Sequence, residues 1–273
     1  MNRTRSILGV VRGQRGSDAE DGAGALSPAP RYDDIGRVYA RHRRPDPRIA
    51  AQLWSALGDA ATIVDVGAGT GSYEPPGRAV VAVEPSPVMA RQRPPGSPPV
   101  VRAVAEALPF ADGAFDAALG VFTIHHWGDV EAGLREMGRV ARRIVLMTFD
   151  PARHEDFWLI TDYVPEMLQL PTWRTPGPEQ VAAILGADRI ETVPVPADCI
   201  DGFNWAFWRR PEMYLDPEVR ACMSGMAMLP EALVAERMGR LRADLADGTW
   251  EARHGHLRRL DVADGGLRLV VRR

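Results

Sequence analysis

Residues 63–71 read I-V-D-V-G-A-G-T-G: a short β-branched run carries a carboxylate, Asp65, and opens into glycines at alternate positions, Gly67, Gly69 and Gly71. Glycine accepts φ > 0 and lets the backbone approach a ligand closely, while a carboxylate beside such a turn accepts hydrogen bonds from whatever lies over it. A second apolar run, residues 79–84, A-V-V-A-V-E, stops on Glu84. In a doubly wound sheet that residue falls beside the first turn, where its two oxygens suit the hydroxyl pair of a ribose. A nucleotide-like cofactor is therefore expected. A nicotinamide dinucleotide is disfavoured, because Ser72 stands where the G-x-G-x-x-G/A fingerprint requires glycine or alanine. His125 and His126 follow a third run, residues 115–121, and an imidazole, with an unperturbed pKa of about 6.5, suits proton transfer near neutrality. Asp150 lies just past the run at 144–147. It is placed either to orient an imidazole or bind an amine, or to cap the helix that Pro151 would start.

The ordered set D-V-G-A-G-T-G-S-Y-E, V-E-P-S, A-E-A-L-P-F and H-H-W, between residues 65 and 127, resembles the class I S-adenosylmethionine-dependent methyltransferases, most of all a bacterial subgroup that acts on small molecules. The resemblance covers residues 32–150 well and weakens toward the C-terminus. It implies S-adenosylmethionine as cofactor and S-adenosylhomocysteine as product. By position, Asp65, Gly67, Ala68, Gly69 and Gly71 would meet the methionine end, and Glu84, with Pro85 and Met89 after it, the ribose. Ala105, Glu106 and Ala107 would close over adenine, and Gly120, Val121 and Phe122 would flank the sulfonium. Tyr39, and Tyr32 before it, lie on the segment that matches the family's N-terminal lid. His125, His126 and Asp150 are the catalytic candidates, His125 foremost. The acceptor implied is an O, N or C nucleophile on a small, partly apolar molecule; a cofactor-binding regulatory or scaffolding paralogue and a non-methylating sulfonium enzyme are the alternatives. Two departures stand out. Val104 replaces an acid that often precedes the A-E pair, and residues 72–77, with Pro75 and Pro76, leave barely one helical turn for the first crossover, so a helical stub is expected there.

The elements that must position these residues alternate. Asp46 and Pro47 start a helix with Ile49, Leu53 and Leu57 on one stripe, ended by Gly58. Ser86 and Pro87 start a second helix that Pro94 and Pro95 end, before a strand at 100–104. Asp129 starts a third, with Val130, Leu134, Met137 and Ala141 in register, before a strand at 144–147. A helix near Pro178 and strands from Ile190 and at 267–271 follow. This alternation predicts an α/β fold, a doubly wound, mostly parallel seven-stranded sheet, Rossmann-like, with a helical cap inserted before the last strand. The expected organisation is an arm at 1–30, a cofactor-binding domain at 31–198, a cap at 199–250 and a C-terminal strand at 251–273. Within the cap, residues 201–245 read as helical, with Val234, Met238, Leu241 and Leu245 as a stripe. Of Phe203, Trp205, Phe207, Trp208 and Tyr214, one or two are expected to line an apolar pocket. Asp162, Tyr163 and Glu166 are further polar candidates that the sequence leaves unranked.

A chain of 273 residues that is 45% hydrophobic builds a sizeable core, and a net charge of −3 gives no long-range attraction to phosphate backbones. Nucleic acid is disfavoured as a partner. Cys199 and Cys222 are too few for a disulfide scaffold and lack metal-ligand spacing, and no run approaches the roughly 20 apolar residues of a membrane span. A cytoplasmic protein with a small-molecule partner, no metal and no membrane is expected.

Overall fold

A computed structural model describes residues 42–170 and 175–273. Tyr32, Tyr39 and the 1–30 segment lie outside the described residues. The described strands are β1 (Thr62–Val66), β2 (Ala79–Val83), β3 (Val100–Val101), β4 (Phe115–Val121), β5 (Ala141–Phe149), β6 (Arg189–Thr192), β7 (Val195–Pro196), β8 (Val262–Ala263) and β9 (Leu267–Arg272). Strands β7 and β8 pair with each other, and the other seven form the main sheet in the order β3-β2-β1-β4-β5-β9-β6. Strand β1 pairs in parallel with β2 and β4. Strands β3 and β5 extend the parallel part on either side. Strand β9 is antiparallel to both β5 and β6. The fold is the Rossmann-like one expected, with a single reversed strand.

Alternate residues of the central strands enter opposite cores, as the two-residue period of a strand demands. Ile63, Leu119, Val145 and Leu269 pack with helix α1 (Pro47–Ala56) and the segments after β5 and β6, while Val64, Ala118, Leu146 and Val270 pack on the other face. That second face is covered by α3 (Val130–Val140) and α4 (Pro178–Leu185). The short α2 (Pro87–Arg91) is capped by Ser86, and Asp46 and Asp129 cap α1 and α3, all three as the sequence predicts.

Local details depart from expectation. Between β1 and β2 the chain forms turns only, so even the expected stub of helix is missing; Pro75 and Pro76 deny the amides a helix would need. Strand β3 stops at Val101 rather than 104, and a turn closed by the Ala107 amide on the Val104 carbonyl follows it. Ala141 begins β5 instead of ending α3, with extended φ and ψ of −145° and 146°. Past β6, residues 201–210 are turns rather than helix, their backbone committed elsewhere: the Gly202 amide donates to the His42 carbonyl and the Trp158 indole to the Trp208 carbonyl. Helices α5 (Pro217–Ala221), α6 (Ser224–Ala227), α7 (Glu231–Ala246) and α8 (Thr249–His254) follow. On α7 the stripe is as predicted, with Val234, Met238 and Leu241 buried.

Candidate active site

The glycine turn is pinned to the carboxyl end of β2: the Gly67 and Ala68 amides both donate to the Val83 carbonyl, at 2.9 and 3.0 Å. The next residue along that strand is Glu84, whose Oε2 accepts the Gly69 amide and whose Oε1 accepts the Ser86 amide, each at 2.8 Å. Each oxygen keeps a further lone-pair direction for a ligand hydroxyl. Gly67 has φ +73°, and a Cβ there would lie 1.8 Å from Thr123 Oγ1, so only glycine fits. Thr123 Oγ1 in turn accepts the Trp127 indole at 3.0 Å. The H-H-W turn is thereby locked against the glycine turn.

A cavity of about 550 Å³ opens at this carboxyl edge of the sheet, within the usual range for a small-molecule site. One end is lined by Asp65, residues 67–70, Glu84 with Pro85, Met89, and Val104 with Ala105 and Glu106. The other end is lined by Phe122, His125, His126, Phe149, Phe203, Asn204, residues 222–224 and Arg43. Phe122 stacks on Phe149 at 5.0 Å and lies 5.4 Å from Phe203, building an aromatic wall. Its backbone sits at φ +52°, a strained conformation for a bulky residue, and such strain concentrates at binding and catalytic sites. The Arg43 guanidinium is 5.6 Å from the Phe122 ring centre and is held by Asp201 at 2.7 Å. The His125 and His126 rings lie 3.9 Å apart. Behind His125 and Asn204 a smaller cavity, about 40 Å³, reaches His154 and Trp205.

Burial dominates the electrostatics at both ends. It raises the carboxyl pKa of Asp65 well above the usual range, assisted by the neighbouring charge of Glu74, and it raises that of Glu84 despite the backbone amides that favour its anion. Burial pushes His125 well below its usual value, His126 adding to the effect, and takes His126 and His154 down to about 4. At neutral pH all three imidazoles are uncharged.

Residues 64–146 match the family model described as a methyltransferase domain. The chain is 34% identical to a protein of Anabaena variabilis, described as a methyltransferase from an antibiotic biosynthesis pathway, over 85% of this chain and 99% of that one, with a TM-score of 0.78. The chain belongs to the class I S-adenosylmethionine-dependent methyltransferases. A Bacillus halodurans methyltransferase shares its fold at 15% identity and a TM-score of 0.51, over 81% of this chain and 96% of that one. Escherichia coli YafE is 44% identical over 62 residues, a match that spans 21% of this chain and 30% of YafE.

S-adenosylmethionine is the cofactor the family implies, and this methyltransferase has residues that fit it. The Glu84 carboxylate faces the cavity as a diol acceptor, the glycine backbone leaves room for close approach, and Met89, Val104 and Ala105 offer apolar surface for a flat ring. Of the residues expected at the cofactor, Asp65, Gly67, Ala68, Gly69, Glu84, Pro85, Met89, Ala105, Glu106, Val121 and Phe122 line the cavity, whereas Gly71, Ala107 and Gly120 do not. Gly71 shapes the turn at φ +90°. A Cβ on Gly120 would meet Leu146 at 2.7 Å, so this glycine serves strand packing. Glu106 also accepts the Asp129 amide, tying the adenine-side segment to the start of α3.

His125 and His126 line the end of the cavity away from the glycine turn, but Asp150 lies outside both cavities. It accepts the Ala152 amide at 3.1 Å as a cap and pairs with Arg268 at 3.4 Å, which accounts for its carboxylate. Among the cap aromatics Phe203 lines the main cavity and Trp205 the smaller one. Asp162 pairs with His254, Tyr163 donates to Asp244 and Glu166 pairs with Arg237, all away from the cavity. Sequence reasoning missed Arg43, Thr123, Asn204 and residues 222–224 as lining residues. Nothing local in the sequence marks Arg43, Asn204 or residues 222–224, because each reaches the site only through long-range packing, whereas Thr123 directly follows Phe122. Among the described residues no group of His, Cys, Asp or Glu could hold a metal ion, and no helix is long and apolar enough to cross a membrane.

Proposed function

We propose that this methyltransferase moves the methyl group of S-adenosylmethionine to an oxygen, nitrogen or carbon nucleophile of a small, partly apolar molecule held against Phe122, Phe149 and Phe203. One observation carries the reading: a single cavity runs from the glycine turn and Glu84 to the aromatic wall and the paired histidines. The cofactor, when bound, supplies an electrophilic methyl group. Asp65, the glycine turn, Glu84, Met89, Ala105 and Glu106 would hold it. The description of the Anabaena relative as a protein of antibiotic biosynthesis supports a small-molecule acceptor here.

The chain's own work is then orientation, exclusion of water and proton uptake. Holding a nucleophile in line can remove on the order of 7 to 11 kcal/mol of the barrier. The aromatic wall excludes water and grips an apolar ring, and Arg43 presents charge to a polar edge. Where the acceptor carries a proton, His125 takes it at a ring nitrogen; its neutral state suits a base, and such a base contributes roughly 10²- to 10⁴-fold. We place the enzyme in the cytosol, where Cys199 and Cys222, both free and buried, would stay reduced. We read it as a cofactor domain at 31–198 under a cap at 199–250, completed by 251–273.

Thermal-shift titration tests the cofactor: S-adenosylhomocysteine should raise the melting temperature and NAD should not. Incubation with methyl-labelled cofactor and a fractionated small-molecule extract should then move label to an apolar compound. Label reaching only protein or nucleic acid would overturn the acceptor class.

A further inference from the structure

Beneath the cofactor turn lies a charged group that the expected site does not include. Arg93, just past α2, and Glu74, in the helix-free crossover, form an ion pair of 2.5 Å with side chains 3% and 9% exposed. Arg93 also donates to the Gly69 carbonyl at 3.4 Å. A Cβ on Gly71 would touch Arg93 at 3.1 Å and Glu74 at 3.2 Å, so the pair packs directly on the turn. The side chains of Glu74 and Asp65 are both largely buried beside this turn, and Asp65 lines the cavity. In a doubly wound fold the turn is normally backed by the helix that follows it; here that helix is absent.

The charges acting on Asp65 are Glu74, Glu84 and Arg93. Three buried carboxylates against one guanidinium cannot all ionise cheaply, since like charges in a shared dry site disfavour one another.

We propose that Glu74 and Arg93 are positioning residues for the cofactor: their ion pair braces the glycine turn in place of the missing helix, and the buried carboxyl cluster of Asp65 and Glu74 holds one proton that a cationic ligand displaces. S-adenosylmethionine carries an ammonium and a sulfonium. On binding, a positive charge enters beside Asp65, the O–H bond of the pair breaks and one proton leaves to solvent, so the local charge balances. The raised carboxyl pKa fixes the sign: affinity is lower while the pair holds its proton, climbs as pH rises through the pair's titration and levels above it. This rests on the cofactor reading above.

Isothermal titration with S-adenosylmethionine and with S-adenosylhomocysteine, between pH 5 and 8.5 in buffers of different ionisation enthalpy, tests it without any acceptor. In the wild type, S-adenosylmethionine affinity should rise by up to about tenfold per pH unit over part of the range, with up to one proton released per ligand. E74Q, which keeps the shape but removes the titrating carboxyl, should flatten that slope. R93M should weaken binding about tenfold or more, and R93K should restore part of the loss. Circular dichroism confirms that each variant is folded, and should R93M fail to fold, E74Q decides alone. A flat wild-type profile with no proton release, or a wild-type slope in E74Q, overturns the proposal while leaving the cofactor assignment intact. Absence of binding by either ligand at every pH overturns the cofactor assignment and this proposal with it.

Discussion

The two ends of the cavity are built in opposite ways. At the cofactor end, residues 65–72, 84–89 and 103–106 come from one stretch of chain, and the contacts are largely backbone amides and carboxylates. At the acceptor end, Arg43, Phe122, Phe149, Phe203 and residues 222–224 come from segments separated by dozens of positions, and the surface is aromatic, sulfur-bearing and imidazole. The same burial acts on both with opposite sign: it raises Asp65 and Glu84 and lowers His125 and His126, because desolvation always disfavours the charged form. Both ends are thereby held toward uncharged side chains at neutral pH. Short-range geometry builds the first end, and long-range packing the second.

If that division holds, substitutions at one end should leave the other's measurement untouched. The largest effect expected is His125→Ala, which should lower turnover of the identified acceptor by roughly 10²- to 10⁴-fold while S-adenosylhomocysteine affinity stays at the wild-type value; unaltered turnover would assign His125 to packing. Next comes Glu84→Ala. It removes an acceptor of two backbone amides as well as the ligand contact, and hydrogen bonds to a charged group are worth roughly 1.5 to 3 kcal/mol each, so calorimetry should show affinity falling by about 10- to 100-fold. An unchanged dissociation constant would break the assignment of this end.

The opposed pKa shifts give a third measurement. His126 and His154 fall to about 4 in the folded chain against about 6.5 unfolded, so their neutral burial costs nothing above pH 6.5, and stability is lost as pH falls from there toward 4. The ceiling is about 3 kcal/mol for each. Asp65 has the reverse sign, stabilising while protonated and losing that contribution as pH rises. In urea unfolding, the stability of wild type minus that of His154→Asn should therefore be a couple of kcal/mol more positive at pH 7 than at pH 4.5; a constant difference would deny that His154 is buried neutral. The smallest effect belongs to Asp150→Ala. It should cost about 1 kcal/mol of stability through the lost cap and leave turnover unchanged, since its side chain already caps residue 152 and pairs with Arg268.

How much was legible follows the same line. Asp65, Gly67, Gly69, Glu84, Ala105 and Glu106 could be read because strand ends and turns are local, and a sheet with parallel β1, β2 and β4 has one way to align them. Helix starts at Asp46, Ser86 and Asp129 were legible for the same reason, a side-chain oxygen serving an amide two or three residues on. The complete loss of the first crossover helix was only half visible in Pro75 and Pro76. What compensates for it, an arginine nineteen positions beyond Glu74, carries no periodic or motif signal.

By itself, then, the sequence determined the α/β sheet, the glycine turn and the acid beside it, since each depends on backbone conformation and on hydrogen bonds between near neighbours. Tertiary structure alone decided that Asp150 is a cap, that Arg43, Asn204 and residues 222–224 face the histidines, and that Glu74 and Arg93 lie under the turn. The reason is physical: a side chain's surroundings, and with them its charge state, are set by which distant segments exclude water from it, and no local spacing encodes that.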